Sequence, residues 1–173
     1  MAEYIHIGRI VATHGVHGDV VVVHSLGSRN NFKDVKALFV EQVKNSYIPH
    51  FISSATARDA EQTQVKLEGT DSKESAHRLI KKNVWITEAD FNRIADKNAP
   101  ISLLGYKIYN RQDLLGNVEE VIEQPHQVLL KTNFKNKEVL VPLHAGTLEA
   151  VDRKTKEVRV ILPDGLLEIY LEN

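Results

Sequence analysis

A mainly β fold in two successive modules is what this chain predicts, on three observations. Short runs rich in Val, Ile and aromatic residues recur along its length, divided by Gly, Asn, Asp and Pro turn residues. Helix signals are few and brief. A polar stretch ending in proline, Asp96-Lys97-Asn98-Ala99-Pro100, separates two groups of runs. That places a first module at 1–95, a linker at 96–100 and a second module at 101–173. At 173 residues the chain is long enough for one large core or two small ones.

In order, Tyr4 to Ala12 and Asp19 to His24 are β-branched runs joined by a glycine-bearing turn, a hairpin pattern. Leu38 to Val43, Tyr47 to Ser53 and Gln64 to Leu67 follow as strands. Asp71 with Glu74 has capping spacing, which predicts a short helix over Ser72 to Ile80. Val84 to Ile86 is a sixth strand, and six short strands with one helix predict a small barrel. Thr87 with Asp90 repeats the capping spacing for a helix over Glu88 to Ile94. Beyond the linker, Tyr106 to Tyr109, Gly116 to Glu123, Val128 to Thr132, Val139 to Pro142 and Glu157 to Leu162 alternate with turn signals at 124–127, 133–137 and 153–156. Pro163 ends the last ladder. Gly165 then permits a reversal that brings Leu166 and Leu167 back onto the module.

Composition excludes several functions. The chain has no cysteine, which removes disulfides and thiolate zinc sites. No stretch reaches the length of an apolar membrane span, and the N-terminus lacks a basic-then-apolar leader pattern, so a cytoplasmic protein with no membrane partner is expected. Net charge is −1: residues 1–95 carry 12 basic against 11 acidic side chains, and residues 96–173 carry 10 against 12. Neither half has the basic excess of a strong nucleic-acid binder, so RNA is expected to be touched locally, with a protein supplying much of the affinity.

The segment Ile7 to Val20, I-G-R-I-V-A-T-H-G-V-H-G-D-V, concentrates the candidate chemistry. His14 and His17 flank a turn and His24 lies beyond a strand; a metal site needs three converging ligands, and surface or hydrogen-bonding histidines are the default. Glu119 and Glu120 are adjacent and point to opposite faces of a strand. Ser53, Ser54 and Ser102 sit in no hydrolase pattern. Gly15 and Gly18 precede a strand rather than a helix, unlike a phosphate-binding loop. No catalytic residue, cofactor or metal is predicted. Partner contact is left: Thr13, His14 and His17 carry donors that reach phosphate or sugar oxygens, and Arg9 adds a charge-assisted bond. Gly15 and Gly18 form the turn itself.

Taken together, these segments resemble the ribosome maturation factor RimM family. Its members open with glycine, a basic residue, two apolar positions and a G-T-H-G-like turn, matched by Gly8-Arg9-Ile10-Val11-Ala12-Thr13-His14-Gly15, with Ala12 in place of a usual glycine. Gly18-Asp19-Val20 follows as the family's G-E-V. Leu67-Glu68-Gly69 with Glu74, Ala76 and Leu79 is similar to its mid-chain segment. Ser102-Leu103-Leu104-Gly105, Leu140-Val141-Pro142 and Pro163-Asp164-Gly165-Leu166-Leu167 resemble its D-L-I-G, L-I-P and P-E-G-L-L.

The resemblance implies a translation-factor-like six-stranded barrel followed by a PRC barrel. It also implies a non-enzymatic assembly chaperone, a monomer, for the head of the small (30S) ribosomal subunit, which promotes 16S rRNA processing. The implied partners are the small ribosomal subunit, its ribosomal protein nineteen, docked by the second barrel, and 16S rRNA locally. Many members carry two aromatics where this chain has Asn98 and Ala99. Docking is therefore expected to rely on other groups or a shifted surface, with Asn98, Ala99 and the nearby Tyr106 and Tyr109 as the candidates. The alternatives are a general RNA-binding barrel module and a metal- or small-ligand-binding barrel enzyme.

Overall fold

The computed structural model describes residues 3–172. Two compact units divide the chain, the first ending at Ala99 and the second beginning at Pro100.

The first unit is a closed barrel. Its strands are β1 (Tyr4–His14), β2 (Asp19–His24), β3 (Ala37–Val43), β4 (Ser46–Ala57), β5 (Gln62–Leu67) and β6 (Asn83–Thr87), arranged in the order β1-β2-β5-β4-β3-β6. Alternation drives the closure: Val40, Val65, Leu67, Val84 and Ile86 are buried while their neighbours along each strand are more exposed, and β2 is buried through Val20, Val21 and Val22 together. β1 carries bulges between His6 and Gly8 and between Ile10 and Ala12, which bend it far enough to pair with both β2 and β6.

The helix expected over 72–80 shortens to α1 (Lys73–His77), and its cap moves by one residue. Ser72, with extended backbone, accepts from the Ser75 amide, and the Ser75 hydroxyl completes the capping box. Asp71 is diverted, because its carboxylate pairs with Lys66 at 3.1 Å. The second helix, α2 (Glu88–Ile94), begins where the capping pattern placed it, with the Asp90 amide donating to Thr87 Oγ1 at 3.2 Å. The polar stretch after it folds onto the first unit: the Asp96 amide donates to the Leu26 carbonyl at 2.9 Å.

In the second unit a 3-10 turn (Pro100–Leu103) precedes β7 (Lys107–Asn110), β8 (Asp113–Asn117), β9 (Glu120–Gln124), β10 (Gln127–Phe134), β11 (Lys137–Leu143), β12 (Leu148–Asp152) and β13 (Glu157–Val160), closed by α3 (Leu166–Leu171). A three-stranded sheet β11-β10-β9 and a four-stranded sheet β12-β13-β7-β8 share one core. Ile108, Leu115, Val158 and Val160 meet Leu130, Val139 and Val141 there.

The single strand expected over 116–123 is two strands in different sheets. Gly116 has φ +148°, and a Cβ there would lie 2.5 Å from Thr132 Oγ1, so the chain crosses β10 at a distance only glycine tolerates. Val118 then turns into the core and β9 starts a new ladder. β12 lacks a full apolar alternation, and α3 is one short amphipathic segment. Both escape a periodicity reading.

Candidate functional site

The turn after β1 is held as a rigid display. His14 pairs with Asp19, so Gly15-Val16-His17-Gly18 spans the hairpin. Gly15 has φ +69° with open space around its Cα, whereas Gly18 has φ +92° and a Cβ there would fall 2.0 Å from the Thr70 carbonyl oxygen. Lys66, on β5, fastens the two loops together. Its ammonium donates to the carbonyls of His17, at 2.6 Å, and of Thr70, and pairs with Asp71. Gln64 Nε2, two residues along the same strand face, donates to Asp19 Oδ2 at 2.7 Å. Backbone carbonyls and a carboxylate take up the lysine's three donors, so the turn has a defined shape.

On this frame the predicted contact residues divide. Arg9, His14 and His17 are exposed. Thr13 pairs with fully buried Val20 and so lies on the interior side of the barrel, half-buried, while its neighbour His14 pairs with Asp19 on the outside. Thr13 and His14 therefore do not form one surface. Val16, unremarked in the sequence, is an apolar side chain of the turn that is 67% exposed.

His24 has a different role. It is buried, the Leu26 amide donates to its Nδ1 at 3.2 Å, and its Nε2 lies 3.3 Å from Thr63 Oγ1. The Thr63 hydroxyl itself donates to the Asn30 carbonyl at 2.5 Å. Nε2 must then carry the proton and Nδ1 none, which makes the ring neutral. Burial pushes the His24 pKa down, with Asp59 opposing weakly. Among the described residues no three His, Asp or Glu side chains are grouped to hold a metal ion.

A surface that no motif signalled lies on the outer wall formed by β1, β6, β3 and the start of β4. Rings follow one another across it: His6 to Trp85 at 5.0 Å, Trp85 to Tyr47 at 4.9 Å, Tyr47 to Tyr4 at 5.3 Å and Tyr4 to Phe39 at 4.6 Å. Register explains the alignment, since Trp85 is the cross-strand partner of both His6 and Phe39. His6 is exposed and the other four rings are half-buried. Basic residues gather at one end. Arg9 pairs with Asn83, and the Lys81 amide and Lys82 carbonyl bond to the backbone of Ile10 at 2.8 and 3.0 Å. Only their strand positions hinted at this in the sequence; which strands adjoin was not readable there.

Burial corrects part of the docking expectation. Ala99 is 6% exposed and packs beside Gly27, and Tyr106 is 7% exposed in the core, so neither offers a side chain to a partner. Asn98 is exposed, its amide donating to Asp96 Oδ1 at 2.8 Å. Tyr109 is half-buried beneath the Arg159 guanidinium, 4.8 Å from its ring centre. Gly165 caps α3 with φ +88°, and Leu166, Leu167 and Tyr170 pack on the core from that helix. The reversal predicted for the tail is present, as a helix.

The profile of the RimM N-terminal domain matches residues 5–91 and that of the RimM PRC barrel domain matches residues 100–166. A ribosome maturation factor RimM of Christiangramia forsetii is 25% identical over 171 residues, covering 98% of this chain and 97% of that protein. One from Oleidesulfovibrio alaskensis is 29% identical over 176 residues, covering 99% and 98%. Among solved structures, a putative 16S ribosomal RNA processing protein RimM from Pseudomonas aeruginosa aligns with a TM-score of 0.42 at 18% identity, over 93% of this chain and 98% of the other.

Proposed function

The chain belongs to the RimM family, and on that premise we propose that it is a ribosome maturation factor that acts by binding. The observation that carries this reading is the ordered match of both family domains, at 5–91 and 100–166, onto two folded units that divide between Ala99 and Pro100. Relatives named as ribosome maturation factors span nearly their whole length and nearly all of this chain. In this reading the protein is a non-enzymatic, monomeric, cytoplasmic chaperone for the head of the small subunit. Its second unit docks ribosomal protein nineteen, and its first unit touches 16S rRNA.

Binding suffices for such a role. A factor that prefers one conformation of an assembly intermediate raises the population of that conformation in proportion to its differential affinity, and leaves when the finished subunit no longer presents it. Near-neutral charge in both halves fits affinity drawn from a protein partner together with a few local RNA contacts. Asn98, near the end of the first unit, and Tyr109, on the second, are the accessible remainder of the four docking candidates and the positions to test.

Gradient sedimentation of lysate tests the proposal. The full-length protein is expected with free small subunits and absent from 70S ribosomes, and deletion of its gene is expected to accumulate precursor 16S rRNA. Absence from small subunits together with normal processing would overturn it.

A further inference from the structure

We propose that the ring row on the outer wall of the first barrel is a stacking platform for single-stranded RNA. Bases would lie against His6, Trp85 and Tyr47, and backbone phosphates against Arg9, Lys81 and Lys82. The proposal rests on the maturation reading only in supposing that RNA is the natural ligand, and it assigns that ligand to a surface the family match leaves open.

Three observations carry it. Successive rings stand 4.6–5.3 Å apart between centres across neighbouring strands. With tilts of 37–55° the rings pack against one another as one continuous aromatic surface, and aromatic rings accept any base without reading its sequence. His6 is oriented rather than loose, because its Nε2 bonds the Gly8 carbonyl at 2.9 Å. Trp85 offers stacking rather than a hydrogen bond, since its indole N–H is covered and has no acceptor.

Charge is the second observation. The overall balance hides a local excess: segments 4–18, 42–52 and 75–87 contain no Asp or Glu, yet hold Arg9, Lys44, Arg78, Lys81 and Lys82. The fold brings these segments together, through the β1–β6 pairing and through the Lys82 ammonium, which donates to the Gln42 carbonyl at 3.2 Å. Acidic Glu88 falls at the other end, after Thr87, while Glu41, beside Tyr47, lies toward the Arg9–Asn83 end, one carboxylate against the five cations. A polyanion with planar bases matches a surface that is cationic at one end and aromatic along its length.

Third, the platform adjoins the candidate turn. Arg9 lies on β1 between His6 of the ring row and the hairpin that displays His14 and His17. One strand of RNA could thus follow β1 from the rings toward the turn.

Trp85 is the only tryptophan, so its emission reports directly on the site. Full-length protein titrated with a twelve-nucleotide oligouridylate at low salt is expected to show saturable quenching. Arg9→Gln/Lys81→Gln should weaken binding about tenfold and reduce the slope of log affinity against log salt by about 0.7 for each phosphate no longer neutralised. Tyr47→Leu should weaken it several-fold with the melting temperature retained. Unchanged emission on adding RNA, or equal binding by the Arg9→Gln/Lys81→Gln protein, overturns the platform, as does quenching by ribosomal proteins alone. Processing of precursor 16S rRNA in cells reports on the maturation reading separately: intact processing without RNA quenching sinks the platform and leaves that reading standing.

Discussion

Lys66 Nζ sits 2.6 Å from the carbonyl oxygen of His17, 49 residues earlier in the chain. That bond, with those to Thr70 and Asp71, makes the hairpin turn of the first barrel a fixed object rather than a mobile tip. It also separates two glycines that look alike in sequence.

Gly18→Ala should cost more than Gly15→Ala. At Gly15 only the positive φ is at stake, about 1 kcal/mol for an alanine. At Gly18 the methyl also meets the Thr70 carbonyl, which the Lys66 ammonium holds in place, and about 2–3 kcal/mol is expected. Lys66→Met, which leaves two carbonyls without their donor, should destabilise by about 1–3 kcal/mol. Urea midpoints of the three variants rank them, and equal midpoints for the two glycine variants would contradict the packing argument.

Acid should weaken the first barrel through its buried and half-buried histidines. The His24 pKa is lowered in the fold by burial, and that of His50 likewise. Both histidines bind fewer protons folded than unfolded once pH falls below the ordinary imidazole value near 6.5. Their contribution is therefore whole above that value and declines as pH falls below it. Protonating Nδ1 of His24 also removes the acceptor of the Leu26 amide. Urea midpoints at pH 7.5 and 5.0 should differ, and His24→Gln should flatten the dependence; an unchanged slope would place its origin elsewhere.

Leu166 and Leu167 are half-buried against the second core rather than enclosed by it. Each alanine replacement should cost about 1–2 kcal/mol, less than the 2–5 of a fully enclosed leucine. Tyr170→Phe, which loses a 3.3 Å bond to the Leu140 carbonyl, should cost about 0.5–1.5 kcal/mol. Differential scanning calorimetry of the full chain measures all three.

His14→Ala and Thr13→Val should part in their effects. His14 faces outward at the turn, and its loss should raise precursor 16S rRNA with the melting temperature unchanged. Thr13 lies on the interior side beside Val20, so its replacement should move the melting temperature and leave processing near normal. Both variants behaving alike in processing and in melting would refute this division.

Periodicity, capping pairs and turn residues announced most strands, the start of the second helix and the two-part plan, because these depend on neighbours within about ten residues. The family motif also lay open in the linear order of its segments. The capping box formed at Ser72 rather than Asp71 because a lysine from another strand claims the aspartate. Ala99 and Tyr106 read as contact residues and prove buried, since exposure depends on what the rest of the chain lays over them.

What the sequence by itself determined was the β content, the two modules and the family, all of them properties of order along the chain. Only the tertiary structure decided which side chains share a surface. A six-stranded barrel in the order β1-β2-β5-β4-β3-β6 sets β1 beside β6, and so places His6 and Arg9 next to Trp85 and Asn83, far away in sequence. Strand adjacency and register are chosen by the closure of the whole sheet. For that reason the ring row and its cations could be found only once the barrel had been closed.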